Sequence, residues 1–114
     1  MTAPLYESEY FTEAAPLMEK LYEKDKNKQT RFLEAAWGAY YQVKNYEDTI
    51  RVLKKLISVS DAPNKNWYMM IAQIYYDDIK DMDKAEEALN EARKKFPEEK
   101  NFFNFQNFVS TNNQ

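Results

Sequence analysis

The sequence predicts an all-α chain of antiparallel helix pairs, and three observations carry that prediction. Apolar residues recur at i, i+3, i+4 and i+7, as in Phe32, Leu33, Ala36, Ala39, Tyr40 and Val43 and again in Trp67, Tyr68, Ile71, Ala72, Tyr75 and Ile79. That spacing lays one stripe along a helix. One Gly and four Pro in 114 residues leave little material for tight turns. Residue markers also repeat at one period: Tyr40-Tyr41 returns 35 residues later as Tyr75-Tyr76, and Arg31-Phe32-Leu33, Asn66-Trp67-Tyr68 and Asn101-Phe102-Phe103 keep the same step. Ala14, Thr49 and Ala85 follow at intervals of 35 and 36, and self-similarity at such a period is the mark of a helical repeat.

Taken in order, residues 1 to 10 read as the tail of a helix, and Thr12 as the cap of a second one through Leu17, Met18, Leu21 and Tyr22. Pro16 then sits near a first turn, where its missing N–H costs least. The run 24–29 is a polar loop. Helices near 31–44 and 47–59 follow, then the loop 60–65 with Pro63, then helices near 66–80 and 84–95. Asn45, three residues before Asp48, and Asp83, three before Glu86, have the pattern of N-caps, and Lys54-Lys55 and Arg93-Lys94-Lys95 suit negative helix C-termini. A last helix near 98–109 carries Phe102, Phe105, Phe108 and Val109.

Composition narrows the function classes. The net charge is -3 with pI about 5.1, so no global basic excess attracts nucleic acid or anionic lipid. No apolar run reaches the length of a membrane span, and residues 1–10 lack the pattern of a signal peptide. Without Cys there is no disulfide framework, which suits an oxidising and a reducing compartment alike. Without His or Cys, Ser8, Ser58, Ser60 and Ser110 have no activating base. The expectation is a chain that is not an enzyme and holds neither cofactor nor metal. Asp77, Asp78, Asp81 and Asp83 lack the Gly and terminal Glu of a calcium loop and read as a solvated, capped turn.

The stretch 66–97 resembles a tetratricopeptide repeat, carried by Tyr68, Ala72 and Tyr75 in the first helix and Ala85, Leu89, Ala92 and Pro97 in the second, with one extra residue in the turn Asp77 to Asp83. Upstream, Leu33, Tyr40, Tyr46, Leu53 and Leu56 occupy the matching positions, with Trp37 where a small residue is usual and Thr49 in place of Ala. The resemblance implies a short right-handed solenoid of five to six helices, about two full repeats flanked by halves. Its parts would be a half repeat at 1–29, repeats at 30–65 and 66–97, and a capping helix at 98–111 in a single domain, and flanking half repeats are what a piece cut from a longer array would show.

In that family the first helix of each pair lines a concave groove, and the resemblance assigns that role to Arg31, Glu34, Gly38, Tyr41 and Gln42, then Asn66, Met69, Gln73, Tyr76 and Asp77. Tyr and Met offer broad apolar contact, and Arg, Asn and Gln hydrogen-bond an extended backbone. The implied function is a protein-interaction scaffold that binds a peptide or partner helix. The family's carboxylate clamp needs Lys and Asn where this chain has Glu34, Gly38, Met69 and Gln73, so that mode is not expected. Gly38 marks either a close approach by ligand or helix, or room for Trp37 or Tyr41. A second function is self-association through open solenoid ends, with Phe102, Phe105 and Phe108 at one of them. A third is RNA binding in the manner of pentatricopeptide repeats, which needs a basic groove that this acidic chain does not supply.

Overall fold

A computed structural model describes residues 3–98, with side chains from residue 9 onward. Among the described residues there are five α-helices and no strand. The chain divides between Pro63 and Asn64 into two compact units.

The first unit holds α1 (Ala3–Lys24), α2 (Arg31–Gln42) and α3 (Tyr46–Val59), and α2 packs against both others. Its core is Ala15, Tyr22, Leu33, Ala36, Ala39, Tyr40, Thr49, Ile50, Val52, Leu53 and Leu56, all buried. Leu33, Leu53 and Leu56 are wholly enclosed, each contributing roughly 1.5–3 kcal/mol by leaving water. Two ion pairs cross from α3 to α1, Arg51 to Glu19 and Lys55 to Glu23. Both partners advance by four residues, one helical turn, in the same sense. This makes α1 and α3 parallel and the unit an up-down-up bundle.

Several expectations for this unit are corrected. There is no helix start at Thr12: α1 runs through it, and Pro16 lies in the helix interior. Burial of Ala15 and Tyr22 and the two ion pairs hold the helix in place despite the ladder bond that Pro16 cannot make. The small residue enclosed on α1 is Ala15, with Ala14 half-buried. Lys54 and Lys55 do not serve a helix end, because α3 continues to Val59 and Lys55 reaches across to Glu23. The C-terminal end of α1 is served instead by Lys28, whose ammonium donates to the backbone carbonyl of Glu23.

The turn between α2 and α3 is tightly specified. Lys44 adopts the left-handed conformation, φ 63°. Its N–H donates to the Tyr41 carbonyl at 3.0 Å and the Asn45 N–H to the Tyr40 carbonyl at 2.9 Å, the paired bonds of a Schellman helix ending. Asn45 then caps α3, its side chain accepting from the Asp48 N–H at 3.3 Å. One residue closes one helix and opens the next.

The second unit repeats this construction with one insertion. α4 (Lys65–Gln73) passes directly into a π-helical segment, Ile74–Ile79, and α5 (Met82–Lys95) follows. Lys80 is left-handed at φ 64°, and the Asp81 N–H donates to the Tyr75 carbonyl at 2.8 Å. Asp81 caps α5 by accepting from the Lys84 N–H at 3.1 Å. Tyr40, Lys44 and Asn45 therefore correspond to Tyr75, Lys80 and Asp81, with one residue more between the Tyr and the Lys. A π turn is an α turn holding one extra residue, so the insertion is absorbed inside the helix and the turn keeps its two-residue form.

That insertion corrects two further expectations. The cap is Asp81, with Asp83 in the first turn. Ile79, expected on the apolar stripe, is 39% exposed at the end of the π segment, while Ile74 is fully buried, in line with Trp67 and Ile71. The core is otherwise Trp67, Ile71, Ala72, Ala85, Ala88, Leu89 and Ala92. Tyr68 packs edge-on against Phe96 with ring centroids 5.4 Å apart, and Arg93, Lys94 and Lys95 occupy the last turn of α5. The expected helix near 98–109 lies outside the described residues.

Candidate functional site

The residues singled out from the sequence fall on one face of each unit's first hairpin helix. On α2, Arg31, Glu34, Gly38, Tyr41 and Gln42 line the side opposite Leu33, Ala36 and Tyr40. Arg31, Glu34 and Gln42 are exposed; Gly38 and Tyr41 are half-buried. The Arg31 guanidinium lies over the Phe32 ring at 4.9 Å. The Tyr41 ring stands edge-on to Tyr46, the first residue of α3, at 5.9 Å, which fixes the ring while leaving part of it in solvent.

In the second unit, Asn66, Met69 and Gln73 lie on α4 and Tyr76 and Asp77 on the π segment. Asn66, Gln73 and Asp77 are exposed, Met69 and Tyr76 half-buried. The Asn66 N–H is taken by the Asn64 side chain at 2.8 Å, which leaves the Asn66 amide group outside that capping bond. No member of either set is fully buried. Each set brings together a charged residue, amide or guanidinium donors and an aromatic ring.

A Cβ built on Gly38 meets no atom within 4 Å among the described residues. Within the first unit, close approach by α1 or α3 is thereby removed as the reason for this glycine, and so is steric room for Tyr41, which leaves either room for its chain neighbour Trp37 or close approach by a ligand.

The strongest electrostatic feature lies elsewhere, centred on Glu19 and Arg51, which neither the apolar stripes nor the repeat register single out. Glu19 accepts from both terminal nitrogens of Arg51, at 2.8 and 2.9 Å, and from the Tyr40 hydroxyl. The Arg51 guanidinium holds the Glu19 carboxyl below its ordinary value, with the Tyr40 bond adding to it against partial burial. Burial, then the Glu19 bond, pushes the Tyr40 hydroxyl up to about 12. Lys55 lowers Glu23, and the Gln29 backbone N–H lowers Asp25. These groups tie helices together; Tyr40 is buried and Glu19 is taken up by its partners. A signal for them was present, since Glu19 to Arg51 and Glu23 to Lys55 share one offset of 32 residues.

Among the described residues no group of three His, Cys, Asp or Glu side chains is placed to hold a metal ion, and no helix is long and apolar enough to cross a membrane. No family model matches the chain, and neither the curated proteins nor the solved structures contain a match to it.

Proposed function

We propose that this chain is a non-enzymatic protein-interaction module of tetratricopeptide-like helical hairpins. It takes a peptide or partner helix on the exposed faces of α2 and of α4 with its π segment. The observation that supports the reading most is the repeated hairpin: the Tyr carbonyl, left-handed Lys and capping Asn or Asp recur in both units, and the outward residues recur in step with them. A repeat that preserves its turn chemistry presents the same positions in both units, with a Tyr in register at 41 and 76.

In this reading Tyr41 and Tyr76 supply apolar contact at low entropic cost, since each ring has few rotatable bonds. Gln42, Asn66 and Gln73 bond backbone amides, and Arg31 pairs with an acidic group. The test uses a displayed library of random peptides selected against the whole chain. Peptides so selected should lose at least about tenfold in affinity with the double variant Tyr41→Ala, Tyr76→Ala, while its circular dichroism is preserved. Undiminished binding by the folded double variant removes the proposal.

A further inference from the structure

α1 has two apolar faces, and only one is spent within its unit. The inner face carries Ala15 and Tyr22, buried, with Glu19 bound to Arg51. On the opposite side, Tyr10, Leu17 and Leu21 are 64%, 52% and 38% exposed, with half-buried Ala14 on the same line. The four residues follow one another at intervals of four, three and four. That is the a/d spacing of a two-helix seam. Three large apolar side chains in a line on one helix are more than scattered surface apolarity.

The charges beside the seam say what covers it. Glu9 and Glu13 lie toward the start of the line, Lys20 and Lys24 toward its end, all exposed and without an ion-pair partner among the described residues. Glu13 and Lys20, seven residues apart, flank the same edge. A second α1 laid antiparallel brings Glu13 opposite Lys20 and Lys20 opposite Glu13. It also sets Ala14 against Leu17, small against large, and Tyr10 against Leu21. A parallel copy would instead face Ala14 with Ala14 and leave Glu13 without an opposite charge.

The geometry points to a second copy of this chain as the occupant: α1 is an antiparallel, self-complementary dimerisation face. It uses none of the residues assigned to the faces of α2 and α4 and does not depend on them. It also differs from an end contact through Phe102, Phe105 and Phe108, which lie outside the described residues. A seam of two heptads is small, so the dimer is weak and concentration-dependent.

Sedimentation equilibrium of the whole chain tests it. Dimerisation should weaken roughly 100-fold with Leu17→Asp, since the two-fold axis removes two leucine contacts at once. Glu13→Lys and Lys20→Glu should each weaken it about tenfold, while the double exchange, and an equimolar mixture of the two single variants, should restore it. All these positions are exposed, and unchanged circular dichroism shows that folding is intact. A strictly monomeric chain at millimolar concentration overturns the proposal. A dimer indifferent to Leu17→Asp and to the charge exchange overturns it too. So does a monomer whose stability falls with Leu17→Asp, which would assign the face to the chain's own residues beyond 98.

Discussion

The guanidinium of Arg51 grips the Glu19 carboxylate with both terminal nitrogens, at 2.8 and 2.9 Å, and so joins α3 to α1. Tyr40 of α2 donates to the same carboxylate, and all three helices of the first unit meet at one acidic group. Arg51 is half exposed, which discounts the pair through solvent screening. Glu19→Gln should therefore cost only about 1 kcal/mol near neutral pH, read as a lower urea midpoint.

Acid stability follows from the same group. The Glu19 carboxyl titrates below its ordinary value of 4.5 in the folded chain. The stabilisation is thus present above that value and is lost as pH falls through the folded value. Glu23 and Asp25 shift in the same direction. Melting temperature should fall below about pH 4.5, and Glu19→Gln should flatten that decline. An acid limb of unchanged slope in the variant would show that the carboxylate is not its source.

At the alkaline end the sign is opposite. The Tyr40 hydroxyl is raised from 10.0 to about 12, so the unfolded chain loses its proton first. Stability is full below pH 10 and declines as pH rises towards 12. Tyr40→Phe removes this dependence but also the bond to Glu19, so it should be less stable at neutral pH and flatter between those limits. Denaturation followed at pH 8, 10 and 11 separates the two effects.

Lys44 and Lys80 hold left-handed backbone at φ 63° and 64°, positions where a side chain is disfavoured and glycine is at ease. Lys44→Gly and Lys80→Gly should each stabilise by roughly 0.5–1 kcal/mol. Asp81→Ala should cost about 1 kcal/mol through loss of the α5 cap, and Asp83→Ala much less. Thermal melts of the four variants give the order directly.

Much of this architecture is legible in the sequence because helix periodicity is a local property. The stripes around Leu33 and Ile71, the Asn45 cap and the buried Ala85, Leu89 and Ala92 all follow from spacing. The misreadings arose where long-range packing overrules a local signal. Pro16 reads as a helix start, yet α1 is held by contacts to residues more than 20 positions away. The 36-residue step from Thr49 to Ala85 announces an insertion, but only hydrogen bonding places it in the π segment and exposes Ile79. For the candidate faces, spacing alone places Arg31, Glu34 and Gln42 on α2 and Asn66 and Gln73 on α4, all exposed, away from the buried stripe. It gives no hint that Tyr46 steadies the Tyr41 ring.

Gly38 brings stability and binding into opposition, which makes it the sharpest probe of the α2 face. It lies inside α2 with helical flanks, and among the described residues beyond its chain neighbours and its own helix a Cβ there meets nothing within 4 Å. A mid-helix glycine costs about 1 kcal/mol relative to alanine through backbone entropy. Gly38→Ala should thus raise the melting temperature by about 4 °C. Beyond its chain neighbours and its own helix, the described residues offer no compensation for that cost; under the proposed function a ligand backbone lying close to the α2 axis would, because an added methyl would obstruct it. The peptides selected on the whole chain should accordingly bind Gly38→Ala more weakly, although the variant is the more stable protein. Greater stability with undiminished affinity would leave the α2 face intact as a surface and remove Gly38 from the contact. A loss of stability would instead mean that the space above Gly38 is filled in solution.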